Sequence, residues 1–148
     1  MLGDSRLFVY NLNMKVVAKI IIRDKNSKIL VLVRGSTHPS FADHLDFPGG
    51  EVEFGEDYIA TIAREVTEEV GLDLSPPKIR LLFDKKVNEE LVHILYGYKL
   101  DETEPKVKLS WEHSSYKWMS SNSLLNTQLS GGTDPYFKDV IEYLIALK

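Results

Sequence analysis

Apolar residues recur along this chain with two different periods. Between Glu56 and Val70, the apolar positions Ile59, Ile62, Ala63, Val66 and Val70 are spaced three and four apart, which predicts a helix burying one stripe. The same spacing returns in Phe137, Val140, Ile141, Leu144 and Ile145, after the turn-forming string Gly131-Gly132-Thr133-Asp134-Pro135. There Asp134 reads as the N-cap and Pro135 as the first helical residue. Elsewhere the apolar runs are short and rich in β-branched residues. Residues 16–22 and 29–33 flank the polar string Asp24-Lys25-Asn26-Ser27, which predicts a hairpin. Residues 79–87 and 91–100 predict a second pair joined around Asn88-Glu89. In its second strand Val92, Ile94, Tyr96, Tyr98 and Leu100 alternate with His93, Leu95, Gly97 and Lys99, predicting one face on the core. Residues 106–109 and 116–119 are shorter strand candidates. Strands lying between two helices give an α/β protein with α/β/α layering.

Composition narrows the class. A chain of 148 residues, 43% hydrophobic and 27% charged, predicts one domain over residues 1–148 with a sizeable core. The absence of cysteine excludes a disulfide framework, a thiolate metal site and a cysteine nucleophile. A net charge of −4 with scattered lysines speaks against a nucleic-acid polymer as partner, while leaving room for a small anion bound through metal ions. No apolar run approaches the ~18 residues of a membrane span, and residues 1–13 lack the basic start and hydrophobic block of a signal peptide. The expected location is the cytoplasm, away from membranes.

Candidate chemistry concentrates on the first helix. Glu65, Glu68 and Glu69 lie beside its apolar stripe, and Glu65 faces Glu69 at i+4, a like-charge pair that costs roughly 0.2–0.5 kcal/mol. Arg64 can reach Glu68, but positions 61 and 73, where a lysine could relieve the other two, hold Thr61 and Asp73. A cluster presenting only carboxylate oxygen suits Mg²⁺ or Mn²⁺. The competing reading is a solvated acidic helix face. Ahead of the helix, Pro48 restricts Phe47 to extended geometry, and Gly49-Gly50 lets the backbone turn sharply.

The string from Gly50 through Glu56 to Arg64-Glu65-Val66-Thr67-Glu68-Glu69-Val70-Gly71-Leu72 fills every fixed position of G-x5-E-x7-R-E-U-x-E-E-x-G-U, where U is aliphatic. This resembles the Nudix box, and the likeness extends to Phe47-Pro48-Gly49 before it and Trp118-Met119-Ser120 after it. It implies the Nudix fold, a mixed β-sheet between α-helices, and a Mg²⁺- or Mn²⁺-dependent hydrolase that cleaves a nucleoside diphosphate linked to another group. By the same resemblance Glu65, Glu69 and the Gly49 carbonyl are metal ligands, and Glu68 either binds a further metal or holds Arg64. Arg64 orients the glutamates. Gly50 supports the loop, and Glu56 is a box residue or equally a dipole-favoured acid of the first helical turn. Glu112, six residues before Trp118, is spaced like a mobile-loop glutamate of MutT-like members, making it the leading general base or an added ligand, against the reading of a solvated loop acid. His113 is a second base candidate or a capping or surface histidine. His38, His44 and His93 have no cluster around them.

The substrate is less constrained. Arg34, thirteen residues before Phe47, is similar to an arginine that contacts substrate in MutT-like enzymes, which points to a (d)NTP cleaved to (d)NMP and pyrophosphate. A second arginine follows it in those enzymes, and Gly35 stands here, so the contact set is incomplete. ADP-ribose or a nucleotide sugar is the alternative substrate, and a non-catalytic nucleotide-binding Nudix module is the alternative class. Homodimers are frequent in the family, but the sequence shows no interface signal.

Overall fold

The computed structural model describes residues 14–39, 41–127 and 134–147; the readings of residues 1–13 and of Gly131-Gly132-Thr133 lie outside them. The elements follow in the order β1 (Lys15–Arg23), β2 (Ile29–Arg34), β3 (Leu45–Asp46), β4 (Gly49–Val52), α1 (Tyr58–Val70), β5 (Arg80–Asn88), β6 (Leu91–Lys99), β7 (His113–Met119), α2 (Ser121–Leu125) and α3 (Pro135–Ala146), with a 3₁₀ turn at Pro76–Lys78. The seven strands form one mixed sheet between helices, as the α/β/α expectation required.

β1 is the axis of that sheet. One edge runs parallel to β6 over its whole length, from Lys15 opposite Leu91 to Arg23 opposite Lys99. Its other edge is shared. Val16 to Lys19 pair antiparallel with β4, and only Arg23 pairs with β2, at Ile29. The predicted hairpin therefore closes at its turn and then splays. β2 moves off to pair with β7 on one side and β3 on the other, and the chain from β3 to β4 fills the wedge between β1 and β2. That wedge positions the site.

Both faces of the sheet are covered. Val16, Ala18, Ile20 and Ile22 point towards Ile62, Val66 and Val70 of α1, together with Val92, Ile94 and Tyr96. On the opposite face Ile21, Ile29, Val31, Phe47 and Leu95 pack with Leu124 of α2 and with Tyr136, Phe137, Val140, Ile141 and Leu144 of α3. Phe47 stacks on Phe137 at 5.2 Å between ring centroids. The expectation of a single core-facing side for β6 is corrected, because α2 and α3 bury His93 and Leu95 as well.

Other differences are local. Residues 106–109 are not a strand. Their backbone instead closes the C-terminal end of α1, with Lys108 N–H donating to Val70 O at 3.0 Å. The stripe of α1 is rotated, with Tyr58, Thr61, Ile62, Val66, Glu69 and Val70 buried while Ile59 and Ala63 are only half-buried. α3 begins as expected on Asp134 and Pro135, but Tyr136 is buried and Ile145 exposed. Among the described residues no helix is long and apolar enough to cross a membrane.

Burial on both faces makes a direct expectation. Ile94→Ala and Leu95→Ala should each lower stability in urea unfolding by about 2–5 kcal/mol. A loss under about 1 kcal/mol for Leu95→Ala would contradict the second covered face.

Candidate functional site

The loop in the wedge is fixed by close packing. Gly49 has φ of 134°, and a Cβ on it would lie 2.2 Å from the Ala18 carbonyl oxygen and 2.6 Å from Lys19 Cα. Only glycine permits this approach of β4 to β1. Pro48 O accepts from Ile20 N–H at 3.0 Å, which locks the preceding residue to the same strand.

α1 brings its carboxylates to this loop. Asp57 caps the helix by accepting from Ala60 N–H at 3.0 Å, and Gly71 ends it in the left-handed conformation. Glu56 thus precedes the cap and is not in the first turn, correcting that expectation. Its carboxylate accepts from Glu53 N–H at 2.7 Å and lies 3.7 Å from Arg64. Arg64 makes a two-pronged bond to Glu68 at 3.1 and 3.2 Å and an ion pair with Glu65 at 3.3 Å. Gly50 sits against the Glu65 carboxyl, 3.9 Å from where its Cβ would be.

Glu69 is the outlier of the set. It is 3% exposed, and Gly49 N–H donates to its Oε2 at 3.1 Å. Burial pushes its carboxyl up to about 9, with the charges of Glu112 and Glu65 adding to the rise and those of Lys19 and the Gly49 N–H opposing it. Glu112 therefore lies within electrostatic reach of Glu69. It stands in a turn whose Ser110 N–H donates to Glu69 O at 3.0 Å and whose Glu112 O accepts from Gly35 N–H at 2.9 Å. Among the described residues no three His, Cys, Asp or Glu side chains already form a ligand sphere. The donor chemistry nevertheless fits a hard divalent cation. Glu65, Glu69 and Glu112 offer only oxygen, and a buried carboxyl that cannot ionise alone gains its charge when a cation neutralises it.

Arg34, expected to meet substrate, is placed elsewhere. It is 6% exposed, its Nε lies 3.2 Å from Asp46 Oδ2, and its Nη2 bonds Asp134. Both carboxylates are interior, so this guanidinium is engaged by the fold and substrate contact through it is not what the geometry offers. Asp46 also accepts from Lys19 Nζ at 2.8 Å, Phe47 N–H at 2.8 Å and His113 Nε2 at 3.0 Å. Despite its burial, these partners, led by Lys19, hold the Asp46 carboxyl far below the usual carboxylate range. His113 is thereby a buried partner of Asp46, neither a surface nor a capping residue. Sequence reasoning missed Lys19, Asp46 and Asp134 as a group. A signal was present in Lys19 and Asp46, charged residues set in otherwise apolar strings, since such residues are almost never buried unless paired.

Comparison with known proteins points to one family. Residues 13–140 match the family described as NUDIX domain. An Escherichia coli protein named 8-oxo-dGTP diphosphatase is 38% identical over 69 residues, 47% of this chain and 50% of that one. A Saccharomyces cerevisiae peroxisomal coenzyme A diphosphatase is 26% identical over 124 residues, 71% of this chain and 36% of that one. The chain thus spans half or less of the length of these curated relatives. A crystal structure of a MutT protein from Methanosarcina mazei superposes with a TM-score of 0.69 at 27% identity, covering 90% of this chain and 94% of that chain.

The state of Glu69 sets a pH dependence for the metal-free protein. In the unfolded chain a glutamate loses its proton near pH ~4.3, whereas in the fold Glu69 holds it up to about 9. Below the lower value both states are protonated and folding is unaffected; as pH rises between the two, stability is lost. In the presence of a chelator, Glu69→Gln should melt above the wild type at pH 8 and together with it near pH 4. A variant melting below the wild type at pH 8 would contradict the burial argument.

Proposed function

This chain belongs to the NUDIX family, and from that premise we propose that it is a Mg²⁺-dependent pyrophosphohydrolase, with Mn²⁺ as the substitute ion, acting on a nucleoside diphosphate linked to a further group. The preferred substrate is a (d)NTP, cleaved to (d)NMP and pyrophosphate. The observation that carries this reading is Glu69: a carboxyl buried under Gly49 and crowded by Glu65 and Glu112 is disfavoured as an anion until a divalent cation joins it.

Glu65, Glu69 and the Gly49 carbonyl would hold the ion, while Glu68 would either take a further ion or hold Arg64, which it meets at 3.1 Å. When bound, the ion supplies neutralisation of phosphate charge. The chain's own residues do the rest. Glu112 accepts the proton of the attacking water. Arg64, bridging Glu56, Glu65 and Glu68, orients the helix carboxylates and limits their mutual repulsion. Gly50, lacking a side chain, leaves the Glu65 carboxyl room beside the loop. The names of the E. coli and yeast relatives, both diphosphatases, support the reaction class. With Arg34 engaged inside the fold, the bound cation is the main attraction for substrate phosphates, and small nucleotides rather than a nucleic-acid polymer fit a chain of net charge −4.

The test is product analysis with Mg²⁺ and a panel of unmodified and oxidised (d)NTPs, ADP-ribose, nucleotide sugars and dinucleoside polyphosphates. Release of NMP and pyrophosphate from one triphosphate is expected. Partners behind metal ligands are worth 10–100-fold, so loss of a ligand charge in Glu69→Gln should lower turnover at least about 100-fold. Turnover confined to ADP-ribose or a nucleotide sugar would replace the substrate. Equal turnover by Glu69→Gln would remove the metal assignment, and silence of both proteins on the whole panel would favour a binding module.

A further inference from the structure

We infer that His113, backed by Asp46, is a positioning residue that fixes Glu112 at the carboxylate site; the inference rests on the reading of Glu112 as base. β7 pairs Arg34 with His113 but Val33 with Ser115, so Ser114 is an extra residue and the strand is bulged at the site. A bulge re-aims the side chains beside it. Here His113 is directed inward, while Ser114 and Ser115 are both exposed.

Among the described residues the imidazole has one polar contact. Nε2 meets Asp46 Oδ2 at 3.0 Å, while Nδ1 is buried without a hydrogen-bond partner among the described residues. The proton of the neutral ring therefore belongs on Nε2, where it is donated to the carboxylate. Asp46 is itself immobile, because Lys19, Phe47 N–H and Arg34 converge on the same two oxygens. A carboxylate has about four acceptor sites, and these partners with His113 occupy them. Asp46 is thus a fixed post between the wedge loop and β7, and His113 is the arm that reaches it.

Glu112 is the residue immediately before that arm. Its turn has two backbone tethers, Ser110 N–H to Glu69 O and Gly35 N–H to Glu112 O. The two segments run close at Gly35, where a Cβ would lie in ordinary contact with the Trp111 and Glu112 carbonyl oxygens at 3.5 and 3.6 Å. The Trp111 ring contributes little anchorage, being 75% exposed. The side-chain anchor of this turn is accordingly the His113–Asp46 contact. Without it, Glu112 keeps its chemistry but loses its place.

His113→Leu removes the donor with similar bulk, and His113→Gln restores an N–H at nearly the reach of Nε2. Asp46 is left intact, because its loss would strip Lys19 and Arg34 of a partner and confuse position with folding. The first measurement is hydrogen exchange of the Gly35 amide in the metal-free protein. It should accelerate about tenfold or more in His113→Leu and recover in His113→Gln, with β1 and β6 amides unchanged. The second is a kinetic cycle. His113→Leu should lower kcat about tenfold or more with KM within about threefold, and should cost nothing further in a Glu112→Gln background.

Unchanged Gly35 exchange would overturn the inference, as would a kcat loss of equal size in the Glu112→Gln background. Full activity of Glu112→Gln would overturn it through the base assignment, leaving the exchange data to report an anchor with no catalytic purpose. These failures differ from loss of the proposed function, because exchange is read without substrate or metal.

Discussion

The hydrogen bond from Gly49 N–H to the buried Glu69 carboxyl joins the two halves of the candidate site. One half is backbone, a loop whose approach to β1 leaves no room for a side chain on Gly49. The other is a helix whose acidic face is turned partly inward. A glutamate that is 3% exposed is costly in any protein, and one backbone N–H does not repay that cost. The arrangement becomes reasonable as the resting half of a cation site. The fold holds an unfavourable carboxyl in place, so that a cation bound there, as proposed, would also relieve a built-in penalty.

β1 makes this possible by serving three partners. Its full-length pairing with β6 fixes it in the sheet, and its shared second edge opens the wedge that receives Phe47 and Pro48. A continuous β1–β2 hairpin would have closed that space. The same splay carries β2 to β7, so the turn with Glu112 arrives beside the glycine loop although more than sixty residues separate them in sequence. Precision at the site thus comes from strand pairing at a distance, and the helix is docked against it through Ile62, Val66 and Val70.

Much of this was legible in the sequence, for physical reasons that differ from residue to residue. The existence of the two long helices, the Asp134-Pro135 start and the β5–β6 turn are local properties, and they appear where expected although each buried stripe is shifted. Glu65, Glu68 and Glu69 stand together on one helix because their spacing is local, and the structure sets Glu69 against Gly49 and Glu65 against Gly50. What escaped depends on contacts between distant strands. Alternation in β6 predicts one buried face, and the docking of α2 and α3 buries Leu95 too. Arg34 reads as a substrate contact until Asp46 and Asp134 are seen on either side of it. His113 looks like a loop histidine because a bulge, invisible to periodicity, decides which way it points.

The bond from Arg34 to Asp134 also bears on the order in which the molecule can be made. The interior beside the wedge contains two cations, Lys19 and Arg34, and two anions, Asp46 and Asp134, so it is neutral only when all four are present. Three of them belong to the first third of the chain, while Asp134 follows Arg34 by 100 residues. During synthesis from the N-terminus, the first strands therefore emerge carrying one positive charge more than their own carboxylate can match, and enclosing it alone would be strongly unfavourable. A chain that stopped short of Asp134 would have to enclose Arg34 with one positive charge unmatched, so closing this part of the interior depends on the start of the last helix.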